Sequence, residues 1–247
     1  MSTLYIASTG GHLEQLDHLA GRIEDGEGHW VTFDNAQSRA LLSGREVTFV
    51  PYVGVRDLRG VIRCLPVARR LRRRLQVTRA VSTGSGIALG FLPYLSSRGV
   101  ECHYIESAAR VRGPSLTGTL LRRTPGVATH TQYAGWDDPG WRPLAGVFQA
   151  FRPAAERRAP GPVLRVVVTV GTAAEFPFRR LVGRLATLLA PGGPLERAAG
   201  RPASVLWQTG ATPVDDLGIR ATPYLRADEL VAALREADLV VAHAGTG

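Results

Sequence analysis

TLYIASTGGHLEQL, residues 3–16, sets the pattern on which this protein is built. A short apolar run, TLYIAST (3–9), ends at Gly10-Gly11, and residues 12–23 follow as a helix-like stretch. The same grammar then recurs. HWVTFD (29–34) reads as a strand, 36–42 as a short helix and EVTFV (46–50) as a strand. AVSTG (80–84) and ECHYIES (101–107) read as strands with GIALGFLPYL as the helix between them, and VATHTQY (127–133) as another strand. Strands alternating with helices imply a parallel sheet with helices on both faces.

After residue 150 the composition changes. FRPAAERRAPGPV (151–163) is rich in Pro, Ala and Arg, lacks a period, and reads as a linker. The pattern then restarts with LRVVVTVGT (164–172), a helix over 178–190, and strands at SVLWQTG (204–210) and RATPYL (220–225). A helix over 227–236 and a strand in DLVVAHAG (238–245) complete it. The expectation is α/β: two Rossmann-like domains, 1–150 and 164–247, with parallel sheets facing a cleft. The second is much shorter than the first, so it is expected to be incomplete, truncated at its C-terminal end.

The 247 residues are 45% hydrophobic, which excludes a mainly disordered protein. Cys64 and Cys102 form no CxxC pair and no disulfide framework, pointing to a reducing compartment. No apolar run of about 18 residues and no basic-then-apolar leader is legible, so a cytoplasmic protein is expected. The formal charge is +9, and all 30 basic residues are arginine. Arginine presents a planar fork suited to phosphate, so the excess points to an anionic partner or to a solvated surface. DLRGVIRCLPVARRLRRRL (57–75) concentrates it, with seven Arg and one Asp. Its apolar positions Leu58, Val61, Ile62, Leu65, Ala68, Leu71 and Leu75 fall at helical spacing, and Pro66 is expected to kink or restart that helix. Arg110, Arg112, Arg122 and Arg123 form a second cluster. Aromatics are 7% and no helix-turn-helix or RNA-binding signature is present, so nucleic acid is not expected as a partner.

Glycine turns at strand ends carry the functional signal: STGGH (8–12), STGSG (82–86), TVGT (169–172) and HAGTG (243–247). Such turns let backbone N–H groups approach an anion at a helix N-terminus, or they serve only the tight turn. No lysine-ending phosphate loop and no dinucleotide fingerprint is present. His12, directly after Gly10-Gly11, could take a proton from a hydroxyl, or be a helix-start histidine with a local hydrogen bond. His243 precedes the last turn and could touch a donor phosphate or fix the loop. The histidines show no zinc-ligand spacing and no Asp-x-Asp occurs, so no metal or cofactor is expected.

The run VSTGSGIALGFLPYLSSRGVECHYIESAARVRGPSLTGTLLRR (81–123), with STGGHLEQL, resembles the membrane-docking subunit of the two-subunit UDP-N-acetylglucosamine transferase of lipid-linked oligosaccharide synthesis. VVVTVGTAAEFPFRRLV (166–182), WQTG and VVAHAGTG resemble its donor-binding subunit. Exopolysaccharide transferases of the same glycosyltransferase family 28 type share both patterns. The resemblance implies a GT-B fold, a UDP-sugar donor and a polyprenyl-diphosphate-linked acceptor, with inversion at the anomeric carbon; the alternative is a non-catalytic module of such a transferase that docks the acceptor or a partner subunit. It implies a peripheral position on the anionic inner face of the cell membrane, with a partner subunit or second copy left open. It assigns Gly245, Thr246 and Gly247 to the donor's diphosphate turn, Gly171 and Thr172 to the opposing turn, and Tyr224, Leu225 and Arg226 to the base. Gly10, Gly11, Gly84 and Ser85 fall to the acceptor. His12 is the candidate general base or acceptor-phosphate contact. Glu106 is an alternative base, or a structural carboxylate capping Ser107 and the next turn.

Overall fold

A computed structural model describes residues 2–23, 28–54, 56–136, 138–150, 152, 159, 161–171 and 177–243. The protein divides into two compact units, the boundary falling after residue 152. In the first, β1 (Ser2–Ala7) runs into α1 (Gly11–Ile23), then β2 (His29–Phe33), α2 (Ala36–Leu41) and β3 (Val47–Val50). Next come α3 (Leu58–Leu75), β4 (Val77–Gly84), α4 (Ile87–Ser96), β5 (Glu101–Ile105) and α5 (Leu116–Arg122). β6 (Val127–Thr131), β7 (Trp141–Pro143) and a 3-10 turn (Val147–Ala150) finish the unit.

All seven strands are parallel, in the order β3-β2-β1-β4-β5-β6-β7. β1 shows why a continuous apolar run makes a central parallel strand, which is covered on both faces. Leu4 and Ile6 enter one core, with α3, α4 and α5. Tyr5 and Ala7 enter the other, against Leu13, Leu16, Leu19 and Ala20 of α1. The sheet grows outward from β1 in one direction and from β4 in the other, so the order reverses between these two neighbours.

The basic helix α3 departs from expectation in two ways. It runs as one helix through Pro66. Pro66 is on the exposed side, as is Ile62, whose carbonyl loses its partner there, so water can satisfy that group. The expected apolar stripe also splits. Gly60, Cys64, Ala68 and Leu71 form the buried face, whereas Leu58 is 70% and Ile62 54% exposed. At roughly 100° per residue, Leu58 and Ile62 lie on the far side of the helix from that face. Gly90 of α4 is what lets α3 sit so close: a Cβ there would meet the Cβ of Cys64 at 2.5 Å and the carbonyl oxygen of Val61 at 2.9 Å.

The second unit has a four-stranded parallel sheet, ordered β10-β9-β8-β11. Its elements are β8 (Leu164–Thr169), α6 (Arg179–Leu188), α7 (Pro194–Ala199), β9 (Ala203–Gln208), β10 (Ala221–Thr222), α8 (Ala227–Glu236) and β11 (Leu239–Ala242). Its core gathers Leu164, Val166, Val168, Val170, Val182, Leu189 and Trp207. The strand expected over 220–225 shrinks to two residues, because Pro223 has no N–H to continue the ladder. Among the described residues no helix is long and apolar enough to cross a membrane.

Replacing Gly90 with Ala is expected to overpack the α3–α4 contact and cost about 1–3 kcal/mol, read from urea unfolding. An unchanged midpoint would show that the two helices can separate freely.

Candidate functional site

In open α/β sheets, the crevice beyond the C-terminal ends of the strands, where the order reverses, is the place a ligand can enter. In the first unit this is the junction of β1 and β4, and the two turns that follow them are stitched together. The Ser8 N–H donates to the Gly84 carbonyl (2.8 Å), and the Ser85 N–H donates to Ser8 Oγ (3.2 Å). Gly10, Gly11, His12, Gly84 and Ser85 therefore share one site. Two helices begin here, α1 at Gly11 and α4 at Ile87, each of ten residues or more. The Gly10 N–H is already taken by Gln37 Oε1 (2.6 Å). The N–H groups of Gly11, His12, Gly86 and Ile87 have no acceptor among the described residues. Such orphan donors, with the helix dipoles behind them, favour an anion.

His12 is half-buried at this junction. Its Nδ1 lies 2.7 Å from the Thr83 carbonyl, and Thr83 Oγ1 donates to the His12 carbonyl (2.7 Å). A carbonyl only accepts, so Nδ1 carries the hydrogen and Nε2 the lone pair. Nε2 has no hydrogen-bond partner among the described residues. Burial lowers the imidazole pKa below its ordinary 6.5; the Thr83 carbonyl and the Glu106 carboxylate pull it back less strongly. At neutral pH the ring is an uncharged base. Gly84, at φ +104°, makes room for it: a Cβ there would press on His12 Cε1 at 3.2 Å and on the Tyr104 hydroxyl at 3.3 Å.

Glu106, 1% exposed, lies just beyond β5. Its Oε1 accepts from the Tyr104 hydroxyl (3.1 Å) and the Ser107 N–H (3.1 Å). Its Oε2 accepts from the N–H (2.8 Å) and the hydroxyl (2.9 Å) of Ser115, the N-cap of α5. Burial, and next the Glu106 charge, push the Tyr104 hydroxyl pKa well above its ordinary value, so it remains a donor. Both carboxylate oxygens are thus engaged in holding the loop from β5 to α5.

Behind it lies a network that sequence reasoning missed. Gln15 Nε2 donates to the Gly11 carbonyl (3.0 Å) and Ser107 Oγ (3.2 Å). Gln15 Oε1 accepts from the Ala108 N–H (2.8 Å) and Gln132 Nε2 (2.9 Å). Gln132 also donates to the Glu106 carbonyl (3.0 Å) and accepts from the Val147 N–H (2.9 Å). Gln15 sits one turn after Gly11 on the helix that begins at the site; only that spacing hinted at its role.

The second unit has its own reversal, between β8 and β11. Gly171 and His243 meet there: a Cβ on Gly171 would lie 3.4 Å from His243 Nε2, and the His243 ring packs on Phe178 at 5.3 Å. Gln208 ties the neighbouring strand ends, donating to Thr169 Oγ1 (2.9 Å) and accepting from the Leu225 N–H (2.9 Å). Tyr224 is half exposed, and Arg226 is exposed and paired with Asp228 (3.1 Å). Thr172, Gly245, Thr246 and Gly247 lie outside the described residues. Among the described residues no three metal-ligating side chains cluster.

No protein-family model and no curated protein sequence matches this protein. Its fold does have solved counterparts, each covering all of it. MurG of Acinetobacter baumannii is 15% identical, with a TM-score of 0.60 over 74% of that protein's length. A Listeria monocytogenes protein described as a UDP-N-acetylglucosamine 2-epimerase is 10% identical, with a TM-score of 0.65 over 75% of its length. CalG4, the calicheamicin glycosyltransferase, is 12% identical, with a TM-score of 0.53 over 76%. At these identities the likeness is one of fold: the protein has the GT-B architecture of two Rossmann-like units.

Replacing Gln15 with Leu leaves the Ala108 N–H without its acceptor and the Gln132 amide with only the Glu106 carbonyl. The expected loss is about 3 kcal/mol of unfolding free energy, measured in urea. A loss below about 0.5 kcal/mol would show that the network closes around the gap.

Proposed function

We propose that the protein acts as an inverting glycosyltransferase, moving N-acetylglucosamine or another hexose from a UDP-sugar to a polyprenyl-diphosphate-linked acceptor. The observation that carries this reading is the β1–β4 junction. There an uncharged imidazole with its lone pair on Nε2 stands beside two helix N-termini. The fold shared with CalG4, the calicheamicin glycosyltransferase, supports it. In this reading residues 1–150 serve the acceptor and 164–247 the donor, joined by the linker 151–163.

The acceptor's diphosphate lies against the free N–H groups around Gly11 and Ile87, with Gly10, Gly84 and Ser85 shaping the turns. His12 Nε2 takes the proton of the acceptor hydroxyl as that oxygen bonds to the anomeric carbon. The bond from this carbon to the departing diphosphate oxygen breaks, and the electron pair leaves with UDP. Negative charge grows on that diphosphate. Backbone donors at Gly171, Thr172, Gly245, Thr246 and Gly247, with His243, offset it, while Tyr224, Leu225 and Arg226 meet the base. Glu106, with both oxygens engaged, acts as a carboxylate that positions the loop rather than as the base.

Replacing His12 with Ala is expected to lower kcat by roughly a hundredfold or more. A change confined to the acceptor KM would make His12 a binding residue instead. Because the folded pKa lies below 6.5, the base form predominates at pH 7. The rate should fall only as the pH drops below 6.5 and through the lowered pKa. An acid limb centred above 6.5 contradicts this.

The site would work at a membrane face on the cytoplasmic side. α3, α4 and α5 form one layer; on it α3 exposes Leu58 and Ile62 among Arg59, Arg63, Arg69, Arg70 and Arg73, and α5 exposes Leu116 and Leu120. Apolar side chains for the acyl boundary next to guanidinium groups for phosphates suit an anionic bilayer. Replacing Arg69, Arg70, Arg73 and Arg74 with Ser should weaken binding to anionic liposomes at least roughly tenfold. The difference should shrink in high salt. Unchanged sedimentation with liposomes would reduce the cluster to a solvated face.

A further inference from the structure

Thr83 contacts His12 twice, once with its backbone and once with its side chain, although 71 residues separate them. The Thr83 carbonyl accepts from Nδ1–H at 2.7 Å, and its hydroxyl donates to the His12 carbonyl at 2.7 Å. The second bond fixes the backbone from which the ring projects, and the first fixes the ring. In the other neutral tautomer, Nδ1 and the Thr83 oxygen would face each other lone pair to lone pair at that distance. Thr83 is fully buried at the end of β4, so water does not compete for either bond. Gly84, which follows it, leaves the space that the ring occupies.

We propose that Thr83 is a positioning residue that holds His12 in the Nδ1–H tautomer, so that Nε2 is the nitrogen able to accept a proton. The inference rests on the reading of His12 as the base in sugar transfer. The consequence for that step is direct. Nε2 gains the proton from the acceptor hydroxyl, Nδ1 keeps its own, and the positive charge formed on the ring is stabilised by the dipole of the Thr83 carbonyl, which already faces the N–H. The Thr83 hydroxyl contributes through geometry alone.

The test uses the whole protein labelled with 15N at histidine. Two-bond proton–nitrogen spectra near neutral pH should show His12 with a pyrrole-like Nδ1 and a pyridine-like Nε2. A predominant Nε2–H tautomer in the unsubstituted protein overturns the proposal. Thr83→Val keeps the carbonyl and the shape but removes the hydroxyl. It should admit the second tautomer and lower kcat roughly tenfold or more, with a smaller change in KM. Thr83→Ser, which restores the donor, should return the wild-type spectrum and rate. If Thr83→Val folds with an unchanged melting curve and leaves both the tautomer and kcat as they were, the Thr83 side chain does not position the ring and the proposal fails. If Thr83→Val is too unstable to fold, the comparison of Thr83→Ser with wild type decides. A Ser variant that folds yet shows mixed tautomers overturns the role given to the hydroxyl. The failure of the parent reading looks different: His12→Ala would transfer sugar at the wild-type rate while the unsubstituted protein still showed the Nδ1–H tautomer.

Discussion

Two turns that are distant in sequence must touch for the first unit to have a site at all. Ser8 makes the joint, donating from its backbone to Gly84 and accepting through its hydroxyl from Ser85. One turn delivers His12 at the start of α1; the other delivers the Thr83 carbonyl that orients it. The constraint is severe because both turns lie at the C-terminal ends of central, buried strands. Sliding β1 past β4 by one residue would turn its alternating side chains into the wrong cores. The hydrophobic register of the sheet therefore also sets the registration of the polar atoms.

The buried polar groups around this joint follow one physical rule. A carboxylate taken out of water is costly unless donors replace its hydration, and Glu106 has four of them, two from Ser115. Gln15 and Gln132 do the equivalent for loop backbone that no strand partner reaches. The result ties α1, the end of β5, the end of β6 and the 3-10 turn into one polar assembly. Polar satisfaction, rather than apolar packing, is what makes the floor of the site specific. Gln208 does similar work on a smaller scale in the second unit, where it joins the end of β8 to Leu225.

α3 serves two surfaces at once. Small residues, Gly60, Cys64 and Ala68, make its inner face, and Gly90 opposite them allows close approach to α4. This close seating leaves the other side of the helix free of packing duties. Its first turns expose Leu58 and Ile62, and its later turns expose arginines. The same helix is thus bound tightly to the core and presents a mixed apolar and cationic face outward.

Much of the architecture was legible locally. The period of apolar runs and the glycine turns mark where strands end and helices begin, because both depend only on near neighbours in sequence. The positions of β1, α1, β2 and α8 follow directly from that, as does the placing of Gly10, Gly11, His12, Gly84 and Ser85 at strand ends. Tertiary structure decided what those positions face. That β1 lies beside β4 rather than β3 is a matter of sheet order, and without it His12 has no Thr83. Whether Glu106 reaches out or is consumed by donors depends on where Ser115 and Tyr104 fold back to it. Leu58 and Ile62 belong to an apolar pattern on paper but to the solvent side in space, because the neighbour they would need is absent from that side of α3 among the described residues. Sequence periodicity reports which residues can share a face; only the packed partners determine which face is buried, and which nitrogen of a histidine is left with its lone pair.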